Sequence, residues 1–264
     1  MNILDTIIAY KRSEIEIRKE EMNMAALERT EFFSRQTLSL KKNLLDKTKT
    51  GIIAEFKRKS PSKGIINAHA DVVAVTTVYA ENGASGLSVL TDEYFFGGSS
   101  EDLIKARTNG IPILRKDFII DDYQIVEARS IGADVILLIA TCLSPLEVKN
   151  LASFAKNLNL EVLLEIHNEE ELEHICDDVD MVGVNNRNLK TFDVDINTSL
   201  RLINKIPTNK PAIAESGISN IETIVTLKQA GFKGFLIGET FMKEADPTIA
   251  FADFVKHLNA KANE

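Results

Sequence analysis

Gly51-Ile52-Ile53-Ala54-Glu55-Phe56-Lys57-Arg58-Lys59-Ser60-Pro61-Ser62-Lys63-Gly64 is the stretch around which the chain is organised. It opens on a short apolar run with β-branched residues and no helical period, which reads as the body of a buried strand. The run then turns charged. Successive strand side chains alternate faces, so Glu55 and Lys57 point one way while Phe56 and Arg58 point the other. An acid and a base therefore stand side by side at a strand's C-terminal end. Ser60-Pro61-Ser62-Lys63-Gly64 breaks the strand into a loop rich in hydroxyls, backbone N–H groups and positive charge, which suits a phosphate. The plain alternative is a solvated turn with a chance salt bridge, and the rest of the chain decides between the two.

From Gly51 onward, short apolar runs alternate with amphipathic helical patterns. Strands are expected at 51–57, 86–90, 112–117, 134–140, 160–165, 180–185, 211–215 and 234–238. Helices are expected at about 71–81, 100–109, 121–131, 144–157, 169–175, 196–205, 219–230 and 247–261. Strand starts recur at the spacing of successive βα units, and eight such units with right-handed crossovers predict a closed (β/α)8 TIM barrel over 51–264. A doubly wound open sheet is the alternative, but it would usually carry G-x-G-x-x-G after its first strand, where this chain has Lys-Ser-Pro-Ser. Residues 1–50 read as an N-terminal helical extension packed on the barrel. Ile3, Leu4, Ile7, Ile8, Ile15, Ile17 and Met22 recur near helical spacing, and a second helix is expected from about Met24 to Phe33. The extension is expected to cover one end of the barrel and to carry no chemistry.

Composition narrows the function classes. The 264 residues suit one barrel, since this class runs to roughly 250 residues as a single unit. With 44% hydrophobic and 27% charged residues the chain is ordinary globular material rather than disordered. A net charge of −8 disfavours nucleic acid, so an anionic ligand must be held by local positive charge. Cys142 and Cys176 are too few for a disulfide framework, and no apolar run approaches the ~18 residues of a membrane span. The N-terminus lacks signal-peptide order, so a cytoplasmic protein without membrane partners is expected, with a monomer as the default.

Active sites of such barrels sit at the C-terminal ends of the strands. There the sequence places Glu55 and Lys57, then Arg115-Lys116-Asp117, Glu165, Asn185-Asn186-Arg187, Glu215-Ser216-Gly217 and Gly238-Glu239. Ser216, Gly217, Gly238 and Glu239, with Ser60 across the mouth, let backbone N–H groups approach a phosphate. Lys57 and Lys116 near Glu55 and Glu165 are candidate acids and bases; in a partly dry cavity the lysine pKa is expected to fall and the carboxylate pKa to rise. A structural ion-pair network is the competing explanation. Asn185 and Arg187 share a face, and the arginine fork suits a carboxylate or phosphate. Phe96 and Phe118 are candidate walls for a ring. The four histidines show no metal-ligand spacing, so no metal is expected and surface or core positions are preferred for them. Cys142 reads as a buried thiol, and Glu169-Glu170-Glu171 as the acidic first turn of a helix.

Taken together, Glu55-Phe56-Lys57-Arg58-Lys59-Ser60-Pro61-Ser62, Thr91-Asp92-Glu93 with Phe96 and Gly98-Ser99, Leu114-Arg115-Lys116-Asp117-Phe118, Leu164-Glu165-Ile166, Gly183 through Leu189, Glu215-Ser216-Gly217-Ile218 and Leu236-Ile237-Gly238-Glu239 resemble the indole-3-glycerol phosphate synthases. The resemblance covers the barrel, and the helical extension also fits the family. It implies a cofactor-free carbon–carbon lyase of tryptophan biosynthesis acting on a small phosphorylated substrate. By that resemblance Lys116 is the general acid on the ribulose carbonyl, Glu165 assists ring closure and proton transfer, and Lys57 holds the substrate carboxylate. Glu55, Asn185 and Arg187 would position the substrate, Ser60, Ser216, Gly217 and Gly238 would bind phosphate, and Phe96, Phe118 and Leu189 would line the aromatic pocket. Glu239 stands where some members carry a small hydroxyl residue. Two other readings remain open at this point: an aldolase-type lyase with a Schiff base on Lys116, and a non-catalytic barrel that binds a phosphorylated ligand or a partner protein.

Overall fold

The computed structural model describes residues 3–189 and 191–262. Eight strands form a closed, all-parallel barrel: β1 Ile52–Phe56, β2 Gly86–Leu90, β3 Ile113–Lys116, β4 Val135–Ile139, β5 Glu161–Ile166, β6 Met181–Asn185, β7 Ala212–Glu215 and β8 Gly234–Ile237. Each pairs with its neighbours in sequence, and β1 closes the ring between β8 and β2, with Ile53 opposite Leu236 on one side and Gly86 on the other. The sheet is therefore not doubly wound. All eight expected strands are present, with ends shifted by at most one residue.

Alternation along each strand splits the core in two. Ile53, Leu114, Leu137, Leu163, Met181 and Ile213 fill the barrel's interior. Ala54, Phe56, Leu87, Ile136, Leu164 and Val184 face outward onto the helix ring, where Tyr79, Ala152, Leu227 and Phe251 meet them. The helices are α1 Ile3–Glu21, α2 Met24–Leu27, α3 Leu40–Leu45, α4 Val72–Glu81, α5 Ser100–Ala106, α6 Asp122–Ser130, α7 Pro145–Asn157, α8 Asn197–Leu202, α9 Ile221–Ala230, α10 Glu239–Met242 and α11 Pro247–Ala262. Their starts are written in the sequence: Asp71, Ser99, Asp121, Ser144 and Asn220 cap α4, α5, α6, α7 and α9 with side-chain acceptors.

The structure departs from the sequence expectation in three places. The helix expected at 169–175 is a 3₁₀ turn, Glu170–His174, in which Glu171 turns inward and is buried. The N-terminal extension serves both ends of the barrel instead of covering one. Leu40 and Leu44 of α3 enter the interior core beside Gly86 and Gly234, where a Cβ would overlap or crowd them. At the other end Ile3, Leu4 and Ile7 of α1 line the cavity at the strands' C-terminal ends. The second helix is a single turn, Met24–Leu27, rather than a segment reaching Phe33.

Candidate active site

A cavity of about 590 Å³ opens at the C-terminal ends of the strands. It is lined by Glu55, Lys57, Ser60, Phe96, Lys116, Phe118, Glu165, Asn185, Arg187, Leu189, Ser216, Gly217, Gly238 and Glu239, so the expected catalytic and substrate-binding residues border one space, while Arg115 and Asn186 of the strand endings do not line it.

Its floor is built from charged side chains that strand alternation turns inward. Lys57 donates from Nζ to Glu55 Oε1 at 2.6 Å, while on the opposite face the Arg58 guanidinium lies 4.6 Å from the centre of the Phe56 ring. Ser88 adds a longer contact to Glu55 Oε2 at 3.4 Å. Lys116 ends β3 and reaches across the barrel, its Nζ 2.8 Å from Glu165 Oε2 and 3.2 Å from Glu215 Oε2. Asn185 donates to Glu165 Oε1 at 3.0 Å. Glycines give these carboxylates room: a Cβ on Gly183 would overlap Glu215 Oε1, and one on Gly238 would lie 2.7 Å from Glu55 Oε1.

The electrostatics differ from the sequence expectation. Burial pulls the Lys116 pKa down, but Glu165, Glu215 and Glu55 outweigh it and hold the amine protonated, above its ordinary value. Burial likewise pushes Glu165 up, yet Lys116 and His167 bring it well below the usual carboxylate range. Glu215, with burial dominant and Glu165 beside it, is raised to about 8. Of the two carboxylates sharing one ammonium, Glu165 is thus pushed toward the anion and Glu215 toward the protonated form. Nothing in the sequence reading assigned Glu215 a part.

His167, which the sequence places near the mouth as a surface or core histidine, joins the same floor. Its Nε2 lies 3.2 Å from Glu165 Oε1, and its Nδ1 is 3.1 Å from Thr141 Oγ1 and 3.3 Å from Glu171 Oε2. Glu171 also accepts the His167 backbone N–H at 2.7 Å, so this residue of the acidic first turn belongs to the cluster. Against the pull of burial, the two carboxylates raise His167 to about 9. Burial pushes the Cys142 thiol up to about 12, which keeps it from acting as a thiolate.

The loops after β1, β7 and β8 form the other side. Lys59–Ser60 and Gly64–Ile65 pair as a two-residue antiparallel hairpin, and Ser60 Oγ sits 3.5 Å from Ser62 Oγ. Ser216 and Gly217 both have positive φ, 66° and 75°; for a serine this is an uncommon conformation of the kind that clusters at functional sites. The Glu239 carboxylate lies between two cations, 3.4 Å from Lys63 and 3.7 Å from Arg187. A phosphate here would meet backbone N–H groups or take over those cations from Glu239. On the facing side the Phe96 and Phe118 rings stand 5.9 Å apart, tilted by 41°. Among the described residues no group of three or more His, Cys, Asp or Glu is arranged to hold a metal ion.

A family model for indole-3-glycerol phosphate synthase matches residues 4–254. The chain belongs to the indole-3-glycerol phosphate synthase family. Proteins of that name from Bacteroides thetaiotaomicron, Salinibacter ruber and Campylobacter fetus are 47%, 44% and 45% identical to it. The alignments cover 97%, 94% and 92% of this chain and 99%, 93% and 95% of theirs, so the synthase likeness takes in α1 as well as the barrel.

Proposed function

We propose that the cavity converts 1-(2-carboxyphenylamino)-1-deoxyribulose 5-phosphate into indole-3-glycerol phosphate, carbon dioxide and water, the carboxy-lyase step of tryptophan biosynthesis. The observation that carries the reading is Lys116 held as an ammonium between Glu165 and Glu215, with ring-sized apolar walls on one side and phosphate-suited loops on the other.

Ring closure joins the aryl carbon bearing the carboxylate to the ketone carbon. Negative charge develops on the ketone oxygen, and the Lys116 ammonium supplies the proton. Glu215, protonated up to about pH 8, is the neighbouring source from which Lys116 recovers it. The carboxylate then leaves as carbon dioxide, and the electrons of the broken bond restore the aromatic ring; Lys57 holds that carboxylate until it departs. Loss of the former ketone oxygen as water needs one proton delivered to the hydroxyl and one taken from the adjacent carbon. Lys57 is assigned the first and the ionised Glu165 the second. Asn185 fixes Glu165, Glu55 fixes Lys57, and Arg187 orients the substrate's polar groups. Ser60, Ser216, Gly217 and Gly238 surround the phosphate, and Leu189 completes the aryl wall. A Schiff base on Lys116 needs a neutral amine, which the surrounding carboxylates oppose. We infer a monomeric working unit and place it in the cytoplasm.

The test is to incubate the protein with the carboxyphenylamino-deoxyribulose phosphate, without added metal or cofactor, and follow indole absorbance. Wild type should form indole and Lys116→Met should lose at least ~10²-fold in kcat, the scale of a general acid. No indole from folded wild-type protein would overturn the reading.

A further inference from the structure

Ile7, Lys11 and Ile15 of α1 form one buried stripe at i, i+4 and i+8, and a lysine is out of place in it. Lys11 is 1% exposed. Burying an ammonium costs several kcal/mol unless counter-charges surround it, and three carboxylates surround this one. Its Nζ lies 2.7 Å from Glu14 Oε2, 2.9 Å from Asp92 Oδ2 and 3.0 Å from Asp117 Oδ1.

The two aspartates follow β2 and β3, and each holds a phenylalanine of the cavity wall. Asp92 Oδ1 accepts the backbone N–H of Phe95 at 2.8 Å and of Phe96 at 3.1 Å. Asp117 Oδ1 accepts the backbone N–H of Phe118 at 2.8 Å. One ammonium on the N-terminal helix therefore joins the carboxylates on which both ring-bearing segments hang. One turn and two turns earlier on the same helix, Ile7, Leu4 and Ile3 border the same cavity.

We propose that Lys11 is a positioning residue that sets the spacing of the Phe96 and Phe118 rings, so that the N-terminal extension controls the grip on the substrate's aryl group. The inference rests on the aryl site of the proposed reaction. Asp117 is also held by Thr91 at 2.6 Å and Arg115 at 3.1 Å, so loss of Lys11 acts most on Asp92 and the Phe96 loop. Of the phosphate loops, the one after β1 touches the Phe96 segment through Lys59, whose Nζ donates to the Tyr94 carbonyl at 2.9 Å, so phosphate affinity reports any effect that spreads beyond the aryl side.

The experiment uses two probes, anthranilate for the aryl side and inorganic phosphate for the other, bound calorimetrically to wild type and Lys11→Met, with steady-state kinetics alongside. Lys11→Met should weaken anthranilate at least five-fold and raise KM about as much, with kcat and phosphate affinity within two-fold of wild type. Equal loss for both probes, or loss for neither, would overturn the proposal. Lys11→Met/Glu14→Gln, which removes one of the three carboxylate charges around the lost ammonium, is measured in parallel in case the single variant does not fold. If neither folds, Lys11 is a folding residue and the positioning role fails. Should wild type form no indole, the synthase reading falls, while the anthranilate and phosphate measurements still test the clamp separately.

Discussion

At the scale of single residues, the charge state of the floor makes stability depend on pH through His167. Its folded pKa, about 9, is above the ordinary 6.5, so the imidazolium's pairing with Glu165 and Glu171 stabilises the fold fully below about pH 6.5. That contribution is lost as pH rises through about 9. His167→Gln should therefore lower the urea midpoint at about pH 6 and much less at about pH 10; an equal deficit at both would show that packing, not charge, is what His167 supplies. The residue was open to sequence reasoning in part. Glu165 and His167 are two apart, and the alternation that paired Glu55 with Lys57 also places His167 on the catalytic face. What spacing did not contain was Glu171, whose inward turn depends on a 3₁₀ geometry that a run of three glutamates disguises. Glu215 was legible as a strand ending but not as a partner of Lys116, because that contact spans the barrel between residues 99 apart in sequence.

At the scale of elements, the eight βα units could be read because strands and capped helices announce themselves within ten residues. The N-terminal extension could not. Its α3 is six residues long, too short for a helical period to show, and its Leu40 and Leu44 are defined only by the barrel end they enter. Leu40 is fully buried there, far from the cavity-lining ends of the strands. Leu40→Ala should cost about 2–5 kcal/mol in urea unfolding. Because α3 plugs the end opposite the chemistry, KM and kcat of the folded fraction should stay within two-fold of wild type. A large catalytic defect without loss of stability would contradict this division of labour. In α1 a signal did exist: Lys11 interrupts an isoleucine stripe, and a lysine on the apolar face of a helix implies carboxylates waiting on what it packs against.

At the scale of the whole molecule, closure of the ring sorts the loops into arcs. The order β7, β8, β1, β2, β3 is continuous around the barrel, so the loops with Ser216, Gly238 and Ser60 are neighbours, followed by those with Phe96 and Phe118. Lys116, Glu165 and Glu215 come from β3, β5 and β7 and meet over the interior core, between phosphate-suited loops and aryl wall. With a net charge of −8 the chain does not attract anions at long range, so each end of a bis-anionic substrate must be captured by its own arc. Two half-ligands then have no reason to exclude each other. Saturating inorganic phosphate should leave anthranilate affinity within two-fold, and anthranilate should leave phosphate affinity equally unchanged, since coupling between two sites is reciprocal. The intact substrate, or its unreactive analogue with the ketone reduced to an alcohol, should displace both. Mutual exclusion of the two fragments would mean that they compete for the same cations, in which case Lys57 or Arg187, not separate arcs, decides where the anion sits.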